Sequence, residues 1–225
     1  MNPATRAHPG IPGRSPTHGS KGWSSTLIVL DDSGTLSVFD TGGPGYRALW
    51  PQWLADVDRT VGDVTNVFLT HSHWDHVGAF ASFPNARIFI GRNELDWASG
   101  PGRTNPYVEP NLVDGLIRSG RAEAVDHGDR IGAVSVVATP GHTPGHVSYC
   151  IDVGNDGLTF VGDAIKDVEE LDGGPFSITE DVAASAASRS RLLRLRDEGA
   201  HLLLGHDGWA TRPTNAATQT EGEPE

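Results

Sequence analysis

The sequence has little cysteine, few basic residues and no long apolar stretch. Its single cysteine, Cys150, rules out an internal disulfide and suits a reducing cytosol. No apolar run approaches the ~20 residues that a membrane-spanning helix needs. With 17 Lys and Arg against 29 Asp and Glu, the formal net charge is −12, and the clustered cations required for nucleic-acid binding are scarce. These absences favour a cytoplasmic protein that acts on a small molecule, with no nucleic-acid or membrane partner.

The length and the composition of the two ends bound the domain organisation. A chain of 225 residues can bury one sizeable core and hardly two. The first 21 residues are rich in Pro, Gly, Ser and Thr and lack the apolar segment of a signal peptide. We therefore expect one domain over residues 23–209, flanked by disordered tails over 1–22 and 210–225. The oligomeric state is not predicted.

Three histidines and one aspartate lie within six residues, His71-Ser72-His73-Trp74-Asp75-His76. They directly follow residues 64–70, a β-branched and aromatic run that is typical of a buried strand. A strand that ends in this way delivers nitrogen and oxygen donors to one point beyond its carboxyl end. Imidazole and carboxylate suit zinc, iron and manganese. The hexapeptide therefore predicts a metal site.

The same order, a short apolar strand followed by His or Asp, recurs three times later in the chain. The strand-like runs 134–139, 158–161 and 202–204 lead to His142, Asp163 and His206. Sheet proteins place their chemistry in loops at the ends of neighbouring strands. The repetition indicates that these residues gather at the same site as the hexapeptide.

The remaining elements are predicted from periodicity and capping residues. Further strands are expected over 25–30, 35–40, 87–90 and 147–153, and helices over 49–60, 77–82, 93–97 and 179–198. Thr179 is expected to cap the last helix. Residues 99–110, rich in Gly, Pro and Asn, are expected to form a loop that overhangs the metals.

Together these segments resemble the metallo-β-lactamase superfamily over roughly Trp23 to Trp209. The matching stretches are Asp40-Thr41-Gly42, residues 71–76, Thr139 to His146, Gly162-Asp163-Ala164 and Gly205-His206. The resemblance implies an α/β fold, a four-layer αββα sandwich in which two mixed β-sheets pack face to face between helices.

The resemblance also implies two divalent metal ions, with zinc expected and iron or manganese as alternatives. It assigns one ion to His71, His73 and His142, and the other to Asp75, His76 and His206, with Asp163 bridging the two. Asp40 would orient a ligand histidine through its free ring nitrogen, or else serve as a strand-end cap.

His146 repeats the setting of His142 four residues later, so the motif alone does not say which of them binds metal. His142 comes immediately after a strand, where the other ligands also gather, whereas His146 opens the next strand. We therefore expect His146 to make an outer or packing contact.

The expected reaction is hydrolysis of an activated acyl bond in a lactone, ester or thioester. Two cations would lower the pKa of a shared water and supply hydroxide at neutral pH, and Asp75 would pass a proton to the leaving group. Acyl-homoserine lactonases of the superfamily typically carry Tyr where this chain has Lys166. That lysine is expected either to polarise the substrate carbonyl or to form a surface salt bridge. An apolar wall for the acyl part is expected from Trp74, Trp97 and Tyr107.

Three other functions stay open at this point. Persulfide dioxygenases of the superfamily use one iron, held by residues that match His71, His142 and Asp163. A metal-dependent nuclease is less favoured, because only 42 residues separate Asp163 from His206 and leave no room for a basic arm. A metal-binding scaffold without turnover is the third.

Overall fold

The computed structural model describes residues 6–9, 23–153 and 156–210. Six strands form a first sheet, and their order in the sheet is the order of the chain. The pairs from β1 to β3 are antiparallel and those from β3 to β6 are parallel. The strands are β1 (Arg6–Pro9), β2 (Leu27–Leu30), β3 (Leu36–Phe39), β4 (Asn66–Leu69), β5 (Arg87–Gly91) and β6 (Ala122–Val125).

A second sheet of six strands follows, again ordered along the chain. Among the described strand pairs of this sheet, β10–β11 is parallel and the others are antiparallel, so this sheet is mixed as well. The strands are β7 (Arg130–Ile131), β8 (Val134–Ala138), β9 (Val147–Val153), β10 (Asp156–Gly162), β11 (His201–Leu204) and β12 (Gly208–Trp209).

The helices lie between strands, and none of the described ones has the length and apolarity that a bilayer crossing requires. They are α1 (Trp50–Ala55), α2 (Trp74–Val77), α3 (Arg92–Ser99), α4 (Pro110–Arg118), α5 (Val168–Leu171) and α6 (Val182–Asp197). Short 3-10 turns span residues 44–48, 61–63, 80–82 and 101–104.

Aromatic side chains fill the space between the two sheets. Phe39, Phe68 and Phe89 stack across β3, β4 and β5, with ring centroids 4.8 and 4.9 Å apart, and Tyr149 and Phe160 face them from the second sheet. On the outer faces, α1 packs against the first sheet and α6 against the second. The predicted αββα sandwich is therefore confirmed.

Several elements differ from the sequence predictions. Asp181 caps α6, because its side chain accepts from the Ala184 N–H, so the prediction for Thr179 was wrong; the Thr179 hydroxyl donates to the Gly141 carbonyl instead. Helix α1 ends at Ala55 rather than Thr60, and α2 starts at Trp74. Helix α4 and strand β6 were not predicted.

The predicted tails coincide largely with residues that the structure leaves undescribed. Within the first of them, residues 6–9 form β1, which pairs with β2. The rest of the tail predictions, residues 1–5, 10–22 and 211–225, lies outside the described residues.

Candidate metal centre

Seven buried side chains meet at one edge of the sandwich. Four come from the loop and helix after β4, and three come from loops after β8, β10 and β11, so both sheets contribute. They form three overlapping groups whose ligand atoms lie within 4.8 Å of one another: His71, His73 and His142; His71, His76 and Asp163; and Asp75, His76 and His206. The structure thus brings together every residue that the sequence predicted as a metal ligand.

The first group, His71, His73 and His142, presents three ring nitrogens to one point. Nε2 of His142 lies 3.1 Å from Nε2 of His71 and 3.0 Å from Nδ1 of His73. Tetrahedral Zn–N bonds of ~2.0–2.1 Å would place ligand nitrogens roughly 3.3 Å apart. The spacing therefore fits a cation of this size.

Burial keeps these histidines neutral in the absence of a cation. Burial lowers the pKa of His73 to about 3, and burial with neighbouring histidines holds the pKa of His71 and His142 well below its ordinary value. Neutral imidazole is the form that binds metals. Three neutral ring nitrogens that converge in this way are suited to bind a cation.

The second group, Asp75, His76 and His206, is built around carboxylates. Oδ1 of Asp163 lies 3.2 Å from Nε2 of both His76 and His206, and Oδ2 of Asp75 lies 3.7 Å from the same two nitrogens. Oδ2 of Asp163 reaches His142 of the first group at 3.3 Å. One carboxylate therefore faces both groups.

Two buried atoms at this junction, Nε2 of His76 and Oδ1 of Asp163, lie 3.2 Å apart as an ion-pair contact, but neither makes a hydrogen bond of good geometry among the described residues. Burial opposes protonation of His76, but the carboxylates of Asp163, Asp75 and Asp40 raise its pKa well above the ordinary value. The surrounding carboxylates favour a positive charge between these two atoms. A divalent cation bound by nitrogen and oxygen ligands would supply that charge.

A hydrogen-bond relay through Asp40 fixes the orientation of two ligand rings. Oδ2 of Asp40 lies 2.7 Å from Nδ1 of His76 and accepts from the Thr70 hydroxyl at 2.7 Å, and that hydroxyl lies 3.0 Å from Nδ1 of His71. Because the hydroxyl donates to Asp40, it accepts from His71 Nδ1. Both rings then carry a proton on Nδ1, so Nε2 is the nitrogen of each ring that would bind a cation.

The segment before β2 makes hydrogen bonds to the second group that were not predicted from the sequence. The Trp23 carbonyl lies 3.1 Å from Nδ1 of His206, and the Ser24 hydroxyl donates to the Asp75 carbonyl. The Trp23 ring stacks on Tyr46 at 4.9 Å. Backbone carbonyls carry no side-chain signature, so no sequence pattern could have identified the contact to His206.

His146 lies beside the first group but belongs to none of the three sets of converging ligand atoms. Its Nδ1 is 2.9 Å from the Thr139 hydroxyl, and its ring centroid is 5.1 Å from that of His71. These contacts, with Thr139 and with the ring of His71, are compatible with the outer or packing role expected from the sequence.

Lys166 is buried rather than at the surface, with 1% of its area exposed. Its Nζ lies 2.9 Å from Oε1 of Glu170, which is four residues further along the chain. Glu170 also accepts from the backbone N–H of Lys166 and of Ser177. The salt-bridge alternative thus describes the contact, although its expected surface position was wrong.

Two of the three expected wall residues lie at the opening of the site. Trp74 is 40% exposed and Tyr107 is 36% exposed, and the Tyr107 ring centroid is 5.4 Å from that of His73. The loop over residues 99–110 is tied to the ligand segment because Trp74 N–H donates to the Tyr107 carbonyl. Trp97 instead packs with Ala98, Val108 and Val113 in a separate apolar cluster, so it supports the loop.

The sandwich fold and the ligand motif identify the class of protein. The family model described as the metallo-beta-lactamase superfamily matches residues 22–206, and the chain belongs to this superfamily.

Individual relatives are named as lactonases and probable metallo-hydrolases. The N-acyl homoserine lactonase AttM of Agrobacterium fabrum is 34% identical over 101 residues, which are 41% of this chain and 38% of AttM. For AttM and four further curated relatives, the matched stretch spans 38% to 63% of their length.

Solved structures agree on the architecture. AidC, described as a dizinc quorum-quenching lactonase in complex with a product, is 25% identical with a TM-score of 0.68, covering 81% of this chain and 72% of AidC. An AiiA variant of B. thuringiensis with N-decanoyl-L-homoserine bound at its active site has a TM-score of 0.73 at 19% identity, covering 91% of this chain and 94% of that one. The latter supports the fold alone.

Proposed function

We propose that this chain is a dinuclear metallohydrolase that opens the activated acyl bond of a small molecule, with N-acyl lactones as the first substrate class to test. The observation that carries the proposal is the carboxylate of Asp163, which lies within 3.3 Å of ring nitrogens of both groups, His142 in the first and His76 and His206 in the second. A carboxylate shared in this way is suited to hold two cations side by side. The names of the lactonases AttM and AidC support the substrate class.

The proposed first metal would be held by His71, His73, His142 and Asp163, and the second by Asp75, His76, His206 and Asp163. Zinc is the proposed metal, since the donor set is imidazole and carboxylate and AidC is described as dizinc. Ions held there would lower the pKa of water and polarise a carbonyl oxygen.

Residues of the chain would transfer the proton, orient the ligand histidines and bind the substrate. Asp75 has 13% of its side chain exposed, which is more than the side chains of the ligands that flank it, His76 and His206. We assign to its carboxylate the transfer of a proton from the attacking water to the leaving oxygen. Asp40 and Thr70 hold His71 and His76 in one tautomer throughout. Trp74 and Tyr107 would bind the acyl part of the substrate at the opening.

Lys166 is proposed to orient the substrate carbonyl while it remains paired with Glu170. An ammonium group has three N–H donors, so the ion pair at 2.9 Å leaves capacity for a second acceptor. Lys166→Met together with Glu170→Gln removes the ammonium without leaving a buried charge. A loss of kcat in this double variant, compared with Glu170→Gln alone, would support the assignment, and an equal kcat would contradict it.

Metal analysis combined with a substrate screen tests the proposal. Protein purified without oxygen is analysed for metal content and then assayed on N-acyl homoserine lactones, thioesters and aryl esters. We expect about two zinc ions per chain and turnover of the lactones, with Asp163→Asn as the inactive control. One iron per chain with oxygen uptake on persulfides would establish the dioxygenase instead, and two metals without turnover would establish a scaffold.

A further inference from the structure

Glu94 is a buried acid outside the three ligand groups. It lies in the first turn of α3 and has no exposed area. Oε1 accepts from the backbone N–H of Ser72 at 2.8 Å and from its hydroxyl at 2.6 Å, and Oε2 accepts from the Thr143 hydroxyl at 2.6 Å. The Gly145 N–H donates to the same carboxylate.

The donors to Glu94 come from the two loops that build the first group. Ser72 lies between His71 and His73, and Thr143 directly follows His142. One carboxylate therefore joins the loop after β4, in the first sheet, to the loop after β8, in the second sheet. All four contacts are donated to Glu94, which is the pattern that an ionised, acceptor-only carboxylate requires.

The second loop lies directly on the first turn of α3. A Cβ at Gly145 would come within 1.9 Å of the Glu94 backbone nitrogen, and a Cβ at Gly91 within 2.5 Å of the Gly145 carbonyl oxygen. No side chain fits between these segments, so the helix start and the loop have one relative position. The hydrogen bonds to Glu94 and the close packing of Gly145 both fix the position of the second loop relative to the start of α3.

We propose that Glu94 is a positioning residue that sets the separation between the His71–His73 segment and His142. It touches neither substrate nor reacting atoms, and it acts through Ser72 and Thr143. The inference rests on the proposed function in that the first group must bind a metal ion. A buried carboxylate is costly to keep away from water, and its four donors make it stable only while both loops stay in place.

Glu94→Gln tests this role with little change in size. The amide keeps one acceptor oxygen and replaces the other with a donor, which opposes the N–H and hydroxyl donors that surround it. We expect Zn²⁺ affinity at the first group, measured by chelator competition, to fall about 10–100-fold, as for other residues that orient metal ligands. The visible spectrum of the Co²⁺-loaded protein should shift as well.

Arg121→Met is the matched structural control. Nη1 of Arg121 donates to the Phe83 and Ala86 carbonyls at 2.6 and 2.8 Å, at the end of the first sheet opposite the ligands. This variant should lower the Tm while its Zn²⁺ affinity and Co²⁺ spectrum stay as in the wild type. Thr143→Val removes a single donor and should show a smaller loss of Zn²⁺ affinity than Glu94→Gln. If Glu94→Gln does not fold, Thr143→Val serves as the test in its place.

The outcomes separate the two proposals. If Glu94→Gln and Thr143→Val keep wild-type Zn²⁺ affinity and Co²⁺ spectrum while the Tm falls as in Arg121→Met, Glu94 is structural only and this inference is wrong. The hydrolase proposal would then stand. A wild-type protein that binds no Zn²⁺ would overturn both.

Discussion

The first ligand group, His71, His73 and His142, consists of neutral imidazoles, whereas the second combines His76 and His206 with the carboxylate of Asp75. Their supports differ as well. In the second group both ring Nδ1 atoms have fixed partners, Asp40 for His76 and the Trp23 carbonyl for His206. In the first group, Nε2 of His73 and Nδ1 of His142 have no hydrogen-bond partner among the described residues.

The two groups are therefore positioned by partly different means. Hydrogen bonds to individual rings orient the second group, so single outer substitutions should weaken it. In the first group His71 has such a contact, to Thr70, whereas His73 and His142 depend on how the two loops pack on each other and on α3. The groups should fail separately when they are disturbed, except at Asp163, which faces both, and at Asp40, whose link through Thr70 reaches His71.

The largest effect is expected from the first group itself. His142→Ala should lose one metal ion and nearly all activity, because a ligand nitrogen is removed. His146→Ala should keep two ions and lose about 10–100-fold in activity, because this is the usual cost of removing a residue that only contacts a metal ligand. Metal content and kcat of the two variants check this, and the reverse pattern would show that the ligand assignment on this loop is wrong.

The next largest effect should be confined to the second group. His76→Ala and His206→Ala are each expected to retain one metal ion and lose the other, with a severe loss of activity. Metal content after dialysis measures it directly. Full metal content in both variants would mean that the second site does not exist.

A smaller effect is expected from Asp40→Asn. Asp40 has a φ of 47°, and Asn tolerates that left-handed backbone, so the substitution removes charge without adding strain. We expect the affinity of the second group to fall about 10–100-fold. The Thr70 relay should carry a weaker effect to His71. Chelator competition resolves the two ions, and unchanged affinity at both would exclude the orienting role.

The smallest effect is expected at the opening of the site. Tyr107→Ala removes part of the proposed apolar wall and should raise KM about 5-fold, equivalent to ~1 kcal/mol, with little change in kcat. Trp97→Ala should act on stability rather than on KM, because Trp97 packs in the cluster beneath the loop. A KM that stays constant across acyl chain lengths in Tyr107→Ala would contradict the wall.

The parts of the fold that the sequence predicted have strong local patterns. The core strands β4, β8 and β9 are apolar runs bounded by polar or turn residues, and the ligands come after the ends of β4, β8, β10 and β11. Helix α4 was not predicted, because the predicted loop over residues 99–110 ends on Pro110, the first residue of the helix. Pro110 at its first position, with Leu112, Val113 and Leu116 at helical spacing, was the available signal.

The contacts that were missed depend on segments far apart in the chain. Asp40 was expected to orient a ligand histidine, but its link through Thr70 to a second ring needs the parallel register of β3 and β4. Glu94 looked like an ordinary helix residue, since nothing local shows that two distant loops meet on its carboxylate. Such contacts are a property of the packed sandwich.

The order of the ligands along the chain has a consequence for biosynthesis. The imidazoles of the first group are all present once residue 142 has been made, whereas the second group waits for His206 at the end of β11. Domains generally fold as units, so ligands from both sheets meet only once the whole sandwich has formed. A chain that stops before His206 therefore carries the histidines of the first group but lacks a complete second group.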